Sequence, residues 1–331
     1  MKLVAGAISV AITAAGSVQS VPQLVVRDVY LMGTRASLAT YAPTREAGVV
    51  TLESALAALE RTEAELSTWR ETSDISRLNR QPVSTPWHAT PAMCRLLAEV
   101  WRWHRATGGA FDPAIGRLLA AWDVHGEGAV PDPGAQARAA NLSGLALLSL
   151  DSAECTVTRL SDAAIDAGAF GKGEALDRAA AVMGVDPWMI DLGGQVSAGG
   201  AAGDGWPVAI AHPSDRDMPY AHIRLSHGSV ATSGGSERDR TIRGTRVGHI
   251  FDPRTGRPAT FSGSVTVWHE RGVVADILST ALYVMGPDEG LRWAAANQIA
   301  AMYLSPAGSG VKTAMTPAFR TASGMTISGL E

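Results

Sequence analysis

Apolar positions along this chain alternate between two periods, and the changes of period mark the elements. From Val25 to Tyr41, β-rich residues form two runs broken at Gly33-Thr34, which predicts a hairpin. From Glu46 to Leu66, the apolar residues Val49, Val50, Leu52, Leu56, Leu59 and Leu66 recur near a 3.6 period, as one face of a helix does. Pro91 to Thr107 reads as a second helix, entered after Thr90 and stopped by Gly108-Gly109, with Leu96, Leu97, Val100 and Trp103 turned to a core. Ala114 to Trp122 reads as a short third. Beyond Pro131 the periods mix. A helix from Gly173 to Met183 precedes short strands at Trp188 to Leu192, Val208 to Ala211, His222 to Leu225, Ser229 to Thr232 and Ser264 to Trp268. Helices at Val273 to Met285 and Asp288 to Ala296, then closing strands at Ile299 to Leu304 and Val311 to Arg320, complete the pattern. There is no internal repeat, no linker long enough to isolate a second domain, and no regular βαβ alternation. The expected class is α+β.

Composition narrows this only a little. With 331 residues, 46% hydrophobic and 18% charged, the chain can bury one large core or two medium ones. A net charge of −4, with arginines scattered among acids, leaves no basic stripe for nucleic acid. Any anion handled here is expected to be small and bound in a defined pocket. At the start, Lys2, the apolar run Leu3 to Gly16 and the small polar Ser17-Val-Gln-Ser20 resemble a secretory signal. Residues 1–20 are therefore expected to be a signal peptide and the product to be periplasmic or otherwise exported; the alternative is a buried segment of a cytoplasmic protein. No Cys follows the run, which argues against a lipid anchor. Cys94 and Cys155, well separated, could pair in an oxidising compartment, but two lone cysteines more often mean two buried thiols. No Cys/His cluster has zinc spacing.

Charge usage singles out one residue. The chain has three lysines, Lys2, Lys172 and Lys312, and uses Arg for every other strong cation. Lys172 stands between two glycines in Asp166-Ala-Gly-Ala-Phe-Gly-Lys-Gly-Glu-Ala-Leu-Asp177. Glycines entering a helix present backbone N–H groups to an anion, and a compact ammonium adds a point charge beside a phosphate. The alternative is a lysine on a solvent-facing turn. A P-loop is excluded, since that pattern needs Gly at Asp166 and Ser or Thr at Gly173.

Asp276 and Thr280, four apart on a helix, share a face and offer hard oxygens suited to Mg²⁺. Taken alone, the pair is better explained by an Asp favoured near a helix N-terminus, with Thr280 merely packing. Gly193-Gly194 and Gly199-Gly200 follow a strand, but Pro207 and another strand come next where a dinucleotide fold needs a helix. Their expected purpose is tight turning and close backbone approach. His249-Ile-Phe-Asp-Pro-Arg-Thr-Gly256 is either a strand end with a tight turn or a neutral His poised as acid or base. Gly109-Ala-Phe-Asp-Pro113 is a turn whose Asp112 either caps the next helix or meets a polar ligand. No nucleophile elbow is present.

The order of these pieces carries more than any one of them. Met32-Gly-Thr34, Leu66-Ser-Thr-Trp-Arg70 with Ser73-Asp-Ile-Ser-Arg-Leu-Asn79, and Gly109 to Pro113 come first. Asp166 to Asp177, Asp191-Leu-Gly-Gly194, His249 to Gly256 and Ala275-Asp-Ile-Leu-Ser-Thr280 follow. In this order the chain resembles the FAD:protein FMN transferases, the ApbE family, from about Val25 to Arg320.

The resemblance implies a single compact α+β domain of ApbE type, related to the T-fold, over residues 21–322, with 323–331 as a tail. It implies FAD as substrate, held by Met32, Trp69 (Tyr in many relatives), Ala110, Phe111, Asp112, Asp166, Lys172 and Ile250. It implies Mg²⁺ on the Ala169 carbonyl, Asp276 and Thr280. The implied reaction passes FMN to a Thr or Ser hydroxyl of a target redox protein and releases AMP. Lys172 would steady the pyrophosphate, and His249, or in competition Asp276, would take the hydroxyl proton. Hydrolysis of FAD to FMN and AMP, and FAD binding without chemistry, are the alternatives. A homodimer is left open, and no nucleic acid partner is implied.

Overall fold

The computed structural model describes residues 21–200, 203–235, 239–242, 245–308 and 310–328. The expected signal segment, 1–20, lies outside them. Eight strands form one sheet whose spatial order follows chain order: Gln23–Leu31, Thr34–Ala42, Trp188–Leu192, Gln195–Gly199, Gly228–Gly234, Ser264–His269, Ala300–Ala307 and Gly310–Met315. Every neighbouring pair is antiparallel. The first hairpin turns at Met32 and Gly33, whose φ values of 52° and 70° are the paired positive angles of a tight hairpin turn.

One face of this sheet carries helices α1 (Arg45–Leu66), α6 (Gly171–Ala180) and α7 (Gly272–Ala296). On the other face a small sheet of Trp206–His212, Asp215–Leu225 and Met325–Ser328, with the one-turn helix α8 (Pro317–Arg320), closes a second core around Val196, Ile223, Met302 and Phe319. Helices α2 (Asp74–Arg80), α3 (Pro91–Ala106), α4 (Gly116–Ala121) and α5 (Pro133–Asn141) lie with a three-stranded sheet of Pro86–His88, Thr156–Arg159 and Leu148–Asp151. The apolar side chains of α2 and α3 join those of α7 in the largest core, around Leu97, Phe111, Phe170 and Ile277, while Leu119 of α4 packs with Trp122, Val247 and Phe251 in a smaller one. Helices and antiparallel sheets are interspersed in one α+β body, as expected.

Two expectations change. Val311 to Arg320 is not one strand. It ends at Met315, because Thr316 accepts the Phe319 N–H and Pro317 opens α8. The two C-terminal helices stand where expected: they run on as α7 but are parted at Gly286, whose φ of 71° and ψ of 175° leave the helical range ahead of Pro287. Cys94 and Cys155 are not two thiols: they form a disulfide, with Cα atoms 5.4 Å apart. The strand pair Leu148–Asp151 and Thr156–Arg159 brings the turn at Cys155 onto the first turn of α3. A separation of 61 residues gives no hint of that closeness.

Candidate active site

A cavity of about 620 Å³ opens between the main sheet, the entry of α6 and the hairpin Trp206–Leu225. Its wall includes Met32, Ala110, Phe111, Asp112, Asp166, Ala169, Lys172, His249, Ile250, Asp276 and Thr280. Of the residues expected at the site, Trp69 alone is not on that wall. It is 72% exposed and stands outside, edge-on to the His125 ring at 5.0 Å. His125 itself lines the cavity, with Nε2 3.5 Å from Asp166 Oδ2.

The anionic and cationic centre is built by two helices meeting N-terminus to N-terminus. Lys172 sits in the first turn of α6, and its Nζ lies 3.4 Å from Asp276 Oδ1 on α7. The other Asp276 oxygen accepts the Gly173 N–H at 3.0 Å. Thr280, one turn further along α7, faces the same cavity. Beside it, Ser279 and Ser233 share a hydrogen bond of 2.9 Å between their hydroxyls. Gly173 is required here: a Cβ on it would fall 2.3 Å from the Gly272 carbonyl oxygen. The loop before α6 is shaped by Asp166, whose Oδ1 accepts the Gly168 N–H at 2.8 Å while its own N–H donates to the Pro113 carbonyl.

Asp112 does not cap the next helix, since α4 begins without a side-chain cap; it holds the turn before it. It is buried, and its carboxylate accepts from the Ala114 and Leu145 N–H groups at 2.9 Å each. Burial pushes its carboxyl above the usual range; the Leu145 N–H, the nearby His104 and the Ala114 N–H pull it back only partly. It touches the cavity as a wall whose oxygens are already engaged. The His249 segment ends in the expected tight turn and brings His249 to the cavity wall. Asp252 closes the tight turn, its carbonyl accepting the Gly256 N–H at 2.9 Å, while His249 lines the cavity with Nδ1 3.7 Å from Asp239 Oδ1.

Sequence reasoning missed several wall residues. Arg216, on the far hairpin, donates to the Gly193 carbonyl at 3.4 Å and brings a second cation to the cavity. The Gly193-Gly194 turn does permit close approach: both have positive φ, and a Cβ would meet Thr34 Oγ1 at 2.6 Å or Arg216 at 2.7 Å. Gln195 and Ser264 line the cavity almost wholly buried, yet Gln195 Oε1 and Ser264 Oγ have no hydrogen-bond partner among the described residues. Buried polar atoms of this kind call for partners from a ligand or ordered water. No spacing rule in the sequence points to Arg216, His125 or Ser264.

The sequence profile of the ApbE family matches residues 32–303. The FAD:protein FMN transferase of Klebsiella pneumoniae (strain 342) is 31% identical over 269 residues, covering 77% of this chain and 77% of that protein. The chain belongs to the ApbE family. It is a transferase. A second ApbE relative, the FAD:protein FMN transferase of Vibrio cholerae serotype O1, is 30% identical over 273 residues, covering 79% of this chain and 81% of that one. The crystal structure of the Pseudomonas stutzeri flavinyl transferase ApbE, apo form, superposes with a TM-score of 0.79 at 28% identity, covering 91% of this chain and 96% of that chain. The ApbE protein of Thermotoga maritima gives a TM-score of 0.83 at 26% identity, covering 90% and 98%.

Proposed function

We propose that this ApbE-family enzyme moves the FMN part of FAD onto a Thr or Ser hydroxyl of a target redox protein, with Mg²⁺ and with AMP as second product. The observation that carries the reading is the meeting of Lys172, Asp276, Thr280 and the Gly173 N–H on one wall of the cavity. In the reaction the acceptor oxygen forms a bond to the FMN-side phosphorus, and the bond from that phosphorus to the bridging oxygen breaks. The electron pair leaves with AMP. Such a step needs alignment and charge neutralisation more than covalent help.

The residues divide that work. The Lys172 ammonium faces the charge that grows on the pyrophosphate, and Arg216 offers a second positive group across the cavity. Met32, Phe111 and Ile250 supply apolar wall for the flavin nucleotide, and the orphaned Gln195 and Ser264 oxygens offer it hydrogen bonds. With Nδ1 toward Asp239, His249 keeps Nε2 to take the acceptor proton.

The donor set also fits a hard divalent cation. One Asp276 oxygen is held by a backbone N–H and the other already faces an ammonium, and a hydroxyl lies one turn away. Asp276, Thr280 and the Ala169 carbonyl would hold Mg²⁺, which when bound neutralises and aligns phosphate oxygens. Export is part of the proposal, supported by the Cys94–Cys155 disulfide, since such bridges persist in oxidising compartments.

The test is AMP release and peptide fluorescence from purified protein with FAD and Mg²⁺, with and without a peptide bearing an Asp-Gly-Ala-Thr-like acceptor. The expected result is AMP with labelled peptide, abolished by Asp276→Ala. AMP without label would mean hydrolysis, and neither product would mean a binder.

A further inference from the structure

Helix N-termini leave backbone N–H groups without partners, and most helices here cap them locally. Thr44, Ser73, Thr90, Asp132 and Thr316 each accept an N–H from their own first turn. The two helices that build the site do not: α6 follows Phe170 and α7 follows Arg271, neither giving a side-chain cap. Each is served instead by an aspartate from the other. Asp276 of α7 accepts the Gly173 N–H of α6, as described. Asp177, one turn further along α6, accepts the Gly272 N–H at 2.5 Å and the Val273 N–H at 3.1 Å at the start of α7. Gln195 adds a third tie, donating from Nε2 to the Gly272 carbonyl at 2.9 Å.

No side-chain bulk separates the two ends. A Cβ on Gly272 would stand 2.8 Å from the Gly173 carbonyl oxygen and 3.0 Å from Asp177 Oδ1. The contact is therefore a backbone-to-backbone fit with a carboxylate on each side.

We infer that Asp177 is a positioning residue: by holding the first turn of α7 against α6 it fixes where Asp276 and Thr280 stand relative to Lys172, and so sets the affinity for the divalent cation. The argument follows from rigidity. Gly272 and Val273 lie one turn before Asp276 on the same helix, so freeing them lets the carboxylate move away from Gly173 and Lys172. Asp177 itself does not line the cavity, so it acts only through Asp276 and Thr280. This inference rests on the Mg²⁺ reading of that pair.

The experiment uses the full chain without FAD and reads the rise in melting temperature on titration with MgCl₂, beside the FAD dissociation constant in EDTA. Asp177→Asn keeps the shape but can no longer accept both N–H groups. It is expected to weaken the Mg²⁺ dependence of melting at least about tenfold, the effect seen when residues that orient metal ligands are lost, with FAD affinity in EDTA little changed. Gly272→Ala opens the same contact with the carboxylate chemically unchanged, its new Cβ pressing on the Gly173 carbonyl oxygen and on Asp177 Oδ1. It should act alike, and it decides the matter if Asp177→Asn does not fold. A folded variant that keeps the wild-type Mg²⁺ dependence overturns the inference alone. A wild-type protein with no Mg²⁺ response overturns the metal reading and the inference with it.

Discussion

Gly173→Ala probes the tightest contact at the site. The new Cβ would stand 2.3 Å from the Gly272 oxygen and 2.6 Å from Val273 Cα, both backbone atoms that no rotamer change can move. The helices must part. Overpacking of this kind costs about 1–3 kcal/mol. Losing the charge-assisted bond from the Gly173 N–H to Asp276 adds roughly 1.5–3 kcal/mol. Alanine returns about 1 kcal/mol through helix propensity. The net loss is about 1.5–5 kcal/mol, which for a chain of 331 residues lowers the melting temperature by roughly 2–7 °C.

The assay is thermal unfolding by circular dichroism in EDTA, with Gly184→Ala as control. Nothing lies within 4 Å of the Cβ added there. If Gly173→Ala melts within about 1 °C of that control, the close approach of α6 and α7 is not what holds the site.

Other outcomes follow from the same geometry. Lys172→Arg should cut turnover at least about tenfold, because a planar guanidinium cannot take the place of a compact ammonium beside Asp276; Lys312→Arg, on an exposed strand position, should change nothing. Equal small effects in a steady-state AMP assay would reduce Lys172 to a turn residue. Cys94→Ser should lower stability by about 4 kcal/mol on the loop-entropy scale, read as a lower urea midpoint; an unchanged midpoint would mean that the bridge does not form. Burial pushes the Asp177 carboxyl up to about 6, against the Val273 and Gly272 N–H groups that pull it down. The folded state then binds a proton more readily than the unfolded chain, whose carboxyl titrates near 3.8. Wild-type stability should therefore rise relative to Asp177→Asn as pH falls from 8, by about 1.4 kcal/mol at pH 5 and toward roughly 3 kcal/mol only below about pH 4. A difference between the two that does not vary with pH would contradict the burial argument.

What could be read from the sequence was what periodicity and glycine encode. The first hairpin, α1, α3 and the strand Trp188–Leu192 lie where the apolar pattern placed them, because each has a buried stripe long enough to repeat. Helices α2 and α5 escaped notice: they run 7 and 9 residues, too short for a period to declare itself. At the site, Lys172, Asp276 and Thr280 were legible because composition and helical spacing mark them.

The rest depends on contacts between distant segments. Arg216 looked like any other arginine until the hairpin set it against Gly193, and the Cys94–Cys155 bridge depends on a strand turn that no spacing announces. Trp69 is the one expected site residue that the structure leaves off the cavity wall. An aromatic residue in a family motif suggests a stacking platform, yet here the ring faces His125, and His125 meets the cavity. The mutual capping of α6 and α7 was beyond reach for the same reason: Asp177 and Gly272 are 95 residues apart.

The most direct test of the central proposal is mass spectrometry of an acceptor peptide carrying a single Thr, after incubation with the purified protein, FAD and Mg²⁺. The predicted result is a peptide heavier by one FMN less water, formed one for one with AMP and absent with Asp276→Ala. An unmodified peptide beside accumulating FMN and AMP would contradict transfer, leaving a hydrolase in the same cavity.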